Sequence, residues 1–304
     1  MASFIVHILG CGSALPTLRH SASSQVVELH SKTFMLDCGE GTQLQMRKSR
    51  LSFNKIRAIF ITHLHGDHWF GLLGLISTFD MLGRTAPLQI YAPATFVAML
   101  DSIKSMLGSR PGYAVEFHPV DTERQAIIYD DRSLTVETVP LEHRIPCCGY
   151  LLREKPTLPH IRRDMIDFYE IPYNQIKNIK NGADWTTPSG ETVPHDRLIS
   201  PATPTRSYAY CTDTRYIPTL HSRVAGVTVL YHESTYDDAC AERAKLYHHS
   251  TATQAALVAR DAHAGKLGLG HFSARYDNEQ GLLREAQAVF PNSILAHEGL
   301  IVEV

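Results

Sequence analysis

An excess of either charge is missing from this sequence: 29 Lys and Arg stand against 31 Asp and Glu, a net charge of −2. The global basic field of many nucleic-acid binders is therefore excluded, and any site for a polyanion has to be local. Cysteine is also sparse. Cys11, Cys38, Cys147, Cys148, Cys211 and Cys240 form no C-x-x-C pair and no dense framework; in a chain of 304 residues they read as reduced, cytosolic thiols. No apolar run approaches the roughly 18 residues that a membrane span needs. At the N-terminus only Phe4 to Leu9 lean apolar, with no basic region before them, which is the pattern of a first strand and not of a secretory signal. No short repeat is visible, which excludes a solenoid. The expectation is a soluble, cytoplasmic protein with no membrane partner.

What is present is concentrated in Ile61-Thr62-His63-Leu64-His65-Gly66-Asp67-His68. The apolar run Ile56 to Ile61 before it predicts a buried strand, and Phe70 to Leu82 after it predicts a helix. Three imidazoles and a carboxylate thus crowd a turn at a strand's C-terminal end, where Gly66 is expected to supply backbone freedom. Alternate residues of an extended segment share a face, so His63 and His65 can grip one cation. Asp67 and His68, beyond the turn, suit a second. Nitrogen and carboxylate donors without thiolate favour zinc, manganese or iron in an open, catalytic site. The competing reading is a polar helix start, capped by Asp67, with solvated histidines; four ligand-type residues within six positions weigh against it.

Along the chain, strands are expected at Phe4–Leu9, Ser24–Leu29, Lys32–Leu36, Pro87–Tyr91, Leu134–Val139, Ser207–Cys211, Val227–Tyr231, Lys266–Leu269 and Ser293–Ala296. Leu300–Val304 is expected to pair near the last of these. Helices are expected from Gln43 to Lys48 and from Ala94 to Leu107. Several strands run into His or Asp, the pattern by which α/β folds keep their chemistry at strand carboxyl ends. Two cations need more ligands than one motif offers, and His143, Asp213 and His271, each just past a strand, are the natural additions. Singly, each is weak evidence, since a lone His after a strand is more often a hydrogen-bonded surface residue than a ligand; together with the first motif they supply the ligands it lacks. A carboxylate such as Asp213 can put one oxygen on each metal, holding the pair about 3.5–4 Å apart, where they activate water and stabilise negative charge.

Residues 153–199 differ in texture. They carry Pro156, Pro159, Pro172, Pro188 and Pro194, with a brief helical pattern at Arg162–Tyr169. Between Arg153 and Lys180 six Lys/Arg outnumber four Asp/Glu, so the segment reads as an inserted arm or lid, with an ordinary solvated insertion equally compatible on charge alone.

The H-L-H-G-D-H run with Asp213 and His271 resembles the metallo-β-lactamase superfamily, and within it the ribonuclease Z family. Further likeness lies in Phe34 to Gln43, in Cys211-Thr212-Asp213-Thr214-Arg215, in His232-Glu233-Ser234-Thr235, and in His249-Ser250-Thr251 with Gln254-Ala255-Ala256. The resemblance implies an α/β four-layer αβ/βα sandwich with a dinuclear site at one edge, spanning residues 1–304 with the arm at 153–199 as a tRNA-binding exosite. It implies a zinc-dependent endoribonuclease that removes the 3′ trailer from precursor tRNA and leaves a 3′-hydroxyl. Two Zn2+ per chain, or Mn2+, would be held by His63, His65 and His143 on one side and Asp67, His68 and His271 on the other, bridged by Asp213. Asp67 would act as general base, His249 as general acid and Glu233 as its helper. The family also implies a homodimer in which one subunit's arm holds tRNA that the other cuts.

From residue type alone His248 competes evenly with His249, and Glu233 could be a structural acid holding a turn; the resemblance decides both. Thr251 and Gln254 fit a capping box for a helix to about Ala262, whose N-terminus would favour a phosphate. The sequence departs from the family in two places. Ile171 to Ile176 lacks the Gly-Pro-rich arm tip, and Pro16-Thr17-Leu18-Arg19-His20 lacks the Lys and Asn of the loop that senses the tRNA 3′ end. Two other readings compete: a small-molecule hydrolase of the same superfamily, acting on thioesters, lactones or cyclic nucleotides, and a non-catalytic RNA- or metal-binding protein.

Overall fold

The computed structural model describes residues 3–15, 17–96, 98–99 and 111–304. Its strands, in chain order, begin with β1 (Phe4–Gly10), β2 (Ser24–Leu29), β3 (Lys32–Cys38), β4 (Ile56–Phe60), β5 (Leu88–Pro93) and β6 (Val115–Val120). There follow β7 (Ile127–Asp130), β8 (Leu134–Pro140) and β9 (Cys148–Glu154), then the short β10 (His160–Ile161), β11 (Trp185–Thr186), β12 (Thr192–Val193) and β13 (Ile199–Ser200). The chain closes with β14 (Ser207–Cys211), β15 (Val229–Glu233), β16 (Lys266–Gly270), β17 (Ser293–Leu295) and β18 (Ile301–Glu303).

One compact unit comprises residues 1–130, 135–152 and 206–304. It holds two seven-stranded sheets, ordered β18-β1-β2-β3-β4-β5-β6 and β17-β16-β15-β14-β9-β8-β7. β3, β4, β5 and β6 are parallel neighbours, as are β14, β15, β16 and β17. Parallel strands covered on both faces need continuous apolar runs, and every residue of β14 and β15 is buried. Between the sheets, Phe34 meets Tyr129 edge-on at 5.4 Å and Phe60 lies 5.3 Å from Tyr150, ring centre to ring centre. On the outer side of the first sheet, the helix Leu72–Met81 buries Leu72, Leu75 and Phe79 with Met35, Ile59 and Ile90. The helix Ala252–Asp261 packs on β15 and β16 through Ala255, Ala256, Val258 and Ala259. The layers run helix, sheet, sheet, helix, as the resemblance implied.

Several local expectations shift. Phe70 does not start the long helix: a single turn, Gly66–Trp69, precedes the helix Leu72–Met81. The C-terminal strand β18 pairs antiparallel with β1 in the first sheet, not with β17 in the second. Of the helix expected at Ala94–Leu107, most lies outside the described residues. β6, β7 and β9 carry no strict alternation and were not legible in the sequence. All six cysteines are free thiols, and among the described residues no helix is long and apolar enough to cross a membrane.

A second compact unit, residues 131–134 and 153–205, has its own small core of Ile171, Ile179, Val193 and Leu198. Within it β10 pairs with β13 and β11 with β12, and the Trp185 indole donates to the Tyr169 carbonyl at 3.1 Å.

The Phe79 ring is fully buried where helix and first sheet meet. Phe79→Ala is expected to cost about 3–5 kcal/mol, read as a lower urea midpoint with unchanged slope.

Candidate metal centre

The carboxyl ends of strands from both sheets supply the cluster. His63 lies three residues past β4, His143 three past β8, Asp213 two past β14 and His271 one past β16. The turn Gly66–Trp69 carries Asp67 and His68, and the His68 ring lies 4.1 Å from that of His63, centre to centre. Gly66 is not in a left-handed conformation. Its need for glycine is steric, since an added Cβ would lie 2.2 Å from the Phe70 ring. Gly39 is constrained in the same way, its Cβ position falling 2.4 Å from the Asp67 carbonyl oxygen.

The seven residues converge as two sets around one carboxylate. His65 Nδ1 is 3.1 Å from both His63 Nε2 and His143 Nε2. Asp213 Oδ2 faces this trio, 3.6 Å from His63 Nε2 and 3.7 Å from His143 Nε2. Asp213 Oδ1 faces the other set, 3.3 Å from His68 Nε2 and 3.0 Å from His271 Nε2. Asp67 Oδ2 closes that set at 3.3 Å from His68 and 3.6 Å from His271. Each set brings its donor atoms within 4.8 Å of one another, a spacing able to hold one metal ion.

The outer atoms decide which nitrogen faces inward. Asp37, buried at the end of β3 with φ +55°, accepts from His68 Nδ1 at 2.7 Å, Tyr210 Oη at 3.0 Å, and the Thr62 backbone and hydroxyl. The Thr62 hydroxyl, its proton given to Asp37, lies 3.0 Å from His63 Nδ1 and is left to accept from it. Thr235 repeats the device, donating to Glu233 at 2.7 Å and lying 3.0 Å from His271 Nδ1. His143 Nδ1 donates to the His248 carbonyl at 3.1 Å. With Nδ1 occupied, Nε2 of each ring is the nitrogen left to face a metal. Sequence reasoning assigned no role to Asp37, Thr62, Thr235 or Tyr210; the first three lie within stretches singled out for their motif or likeness, and Tyr210 in a predicted strand.

Electrostatics agree with a cation site. Burial lowers the imidazoles of His63 and His65 and takes His143 down to about 4, so these three are neutral, ligand-ready donors near pH 7. Burial opposes ionisation of Asp67 and Asp213, yet surrounding histidines hold both well below the usual carboxylate range. Burial opposes a proton on His68 as well, but Asp67, Asp213 and Asp37 raise it, so metal binding there releases a proton. Asp67 Oδ2, His68 Nε2 and His271 Nε2 are buried without a hydrogen bond. Such orphaned atoms, converging as electron-pair donors with no proton donor between them, fit a divalent ion.

Beside the cluster, Glu233 is fully buried and accepts from His249 Nδ1 at 2.7 Å and from the backbone N–H groups of Thr214, Thr235 and Ser250. The neighbours His248 and His249 separate here: His248 caps the helix Ala241–Tyr247 with φ +57°, while the His249 ring stacks on His271 at 5.4 Å. Burial lowers His249, but Glu233 outweighs it and raises the imidazole to about 9. The Thr251–Gln254 capping box is formed in both directions, starting the helix Ala252–Asp261. In the 17–20 loop, Arg19 is paired with Glu279 at 2.8 Å, and His20 bonds Glu298 at 3.1 Å. Cys11, His20 and Glu298 also sit together, but they satisfy one another by hydrogen bonds.

This fold and cluster define a metallo-β-lactamase-fold protein with a dinuclear type of donor set. The metallo-β-lactamase-fold protein YhfI from Bacillus subtilis superposes with a TM-score of 0.70 at 16% identity, covering 99% of this chain and 100% of that one. The short form of human tRNase Z (ELAC1) gives a TM-score of 0.70 at 25% identity, covering 98% of each chain. Ribonuclease Z of Bacteroides fragilis is 52% identical over 304 residues, all of this chain and all of the relative. The chain belongs to the ribonuclease Z family. Residues 4–157, about half of it, also match the family model for the Anti-Pycsar protein Apyc1, so that half belongs to this wider family as well.

The raised His249 value gives a direct test. Stability from the Glu233–His249 contact is fully present below the ordinary histidine value of 6.5 and fades as pH rises through about 9. In Glu233→Gln, the NMR titration of His249 is expected to fall below that of the wild type, since burial then acts unopposed; an unchanged midpoint would contradict the contact.

Proposed function

We propose that this chain is an endoribonuclease that matures tRNA 3′ ends, cutting the 3′ trailer from precursor tRNA with two zinc ions per chain. The observation that carries this reading is the division of Asp213, with one oxygen toward His63 and His143 and the other toward His68 and His271. His63, His65 and His143 would hold one ion, Asp67, His68 and His271 the other, with Asp213 bridging. A pair of divalent ions held there lowers the pKa of a water and stabilises the charge that builds on phosphorus.

The chain's own residues handle the protons. Asp67, held ionised by the surrounding histidines, orients the attacking water and takes its proton. As oxygen adds to phosphorus, the bond to the 3′ ribose oxygen breaks. His249, protonated near neutrality through Glu233, delivers its proton to that departing oxygen. The products are a tRNA 3′-hydroxyl and a trailer with a 5′-phosphate. Glu233 acts through His249 as its positioning residue.

The 153–199 segment, with Lys155, Arg163, Lys177 and Lys180 and the exposed Phe168 and Tyr173, is proposed as the surface that grips the tRNA body. A homodimer working in the cytoplasm is part of the same reading, supported by the family and by the six free thiols. Nitrogen and carboxylate donors favour zinc, with manganese the alternative.

Incubation with a trailer-bearing tRNA is expected to yield one mapped cut, abolished by chelator and restored by zinc. Asp67→Ala should lower the rate by at least about 100-fold while circular dichroism stays native; retained cleavage would remove Asp67 from the chemistry. Deleting residues 155–195 should depress tRNA cleavage far more than hydrolysis of bis(p-nitrophenyl) phosphate. Equal losses would make the segment structural.

A further inference from the structure

A cleft of about 580 Å3 opens beside the cluster, walled in part by His65, Asp67, Phe70 and Arg144. The last two have no role so far. Arg144 directly follows His143 and is exposed, its guanidinium 5.8 Å from the Tyr247 ring centre. Adjacent Glu142 is turned to another arginine. Arg215 already donates to that carboxylate, and the Arg215 backbone N–H donates to the Glu142 carbonyl at 2.9 Å. Arg144 thus has no carboxylate partner among the described residues, in a chain whose net charge is −2. A guanidinium left unpaired beside a phosphate-cutting centre is a forked donor matched to phosphate oxygens.

Phe70 is 59% exposed, unusual for a ring so close to a buried cluster. It lies over the space that a side chain at residue 66 would fill, and Trp69 meets it edge-on at 4.9 Å. A ring flanked in this way and open to a cleft is a stacking platform, which accepts any base because every base has a π-face.

We infer that Arg144 and Phe70 hold the first trailer nucleotide, the one immediately 3′ of the cut, Phe70 stacking on its base and Arg144 gripping the phosphate on its 3′ side. This rests on the nuclease reading of the same site. The side of the cut follows from proton delivery. The departing 3′ ribose oxygen must lie at His249, and His249 is not part of the cleft wall. The strand upstream of the cut therefore passes His249, and the strand downstream enters the cleft. Stacking without base-edge hydrogen bonds makes this grip tolerant of trailer sequence.

The test uses the full-length, metal-loaded enzyme on three substrates: a trailer-bearing precursor tRNA, the same RNA with an abasic first trailer nucleotide, and bis(p-nitrophenyl) phosphate. Phe70→Ala is expected to lower kcat/KM on the intact RNA about tenfold, with Phe70→Tyr restoring most of it. On the abasic RNA the wild type should fall by a similar factor, and Phe70→Ala should cost nothing further. Arg144→Ala should lower kcat/KM about tenfold and flatten its log–log salt dependence by about 0.7, with partial recovery in Arg144→Lys. Losses on bis(p-nitrophenyl) phosphate should be several-fold smaller than on RNA. Equal losses on both substrates, or a Phe70→Ala penalty that persists on the abasic RNA, would overturn the assignment. Wild-type enzyme that leaves precursor tRNA uncut sinks the nuclease reading and this inference together; a wild type that cuts, with insensitive variants, sinks this inference alone.

Discussion

One buried carboxylate with two oxygens sets the geometry of everything around it. Asp213 has to present Oδ2 to His63 and His143 and Oδ1 to His68 and His271. That is possible only if the carboxyl ends of β4, β8, β14 and β16 meet at one rim. The sheet orders deliver this. β14 lies fourth of seven in its sheet, with β15 and β16 on one flank and β9 and β8 on the other. β4 brings the His63–His68 turn from the opposing sheet. Parallel runs in each sheet, β3 to β6 and β14 to β17, put strand carboxyl ends at that rim.

Holding such a group costs free energy that the protein offsets locally. Ionised carboxylates and lone-pair nitrogens crowded within 4 Å and shielded from water would be destabilising on their own. The structure spreads the load onto a second ring of acceptors. Asp37 and Glu233 each collect several hydrogen bonds, and through the Thr62 and Thr235 hydroxyls they set the tautomers of His63 and His271. Asp37 in this ring and His271 in the cluster it supports adopt left-handed backbone angles of +55° and +59°. Backbone conformations of this kind persist only where surrounding contacts over-determine them, and they gather at functional sites.

The same rim separates two kinds of proton chemistry. On one side burial keeps imidazoles neutral. On the other, the fully buried Glu233 raises His249, only 5.1 Å in ring centres from the depressed His143. Residues of one type, a few ångströms apart, are thus driven to opposite protonation states by what lies behind them. A polar cluster walled by Arg144 and an open Phe70 ring suits a flexible, anionic strand better than a compact apolar ligand.

Much of this was legible in the residues themselves. Strand runs such as Ser207–Cys211, the capping box at Thr251 and Gln254, and the density of ligand types in His63–His68 report local physics, and local physics survives folding. Non-local pairing was less accessible. β18 joins β1 nearly three hundred residues away in sequence, and the reason for Gly66 is the approach of Phe70 instead of its own dihedral angles. Nor does spacing reveal that Asp37 supports His68 or that His249, not His248, meets Glu233. Sequence by itself determined which chemical groups are available and which strands carry them, because side-chain type and periodicity are properties of short segments. Only the tertiary structure decided which atom of each group faces inward and in what charge state, because both depend on burial and on hydrogen-bond partners brought from distant parts of the chain.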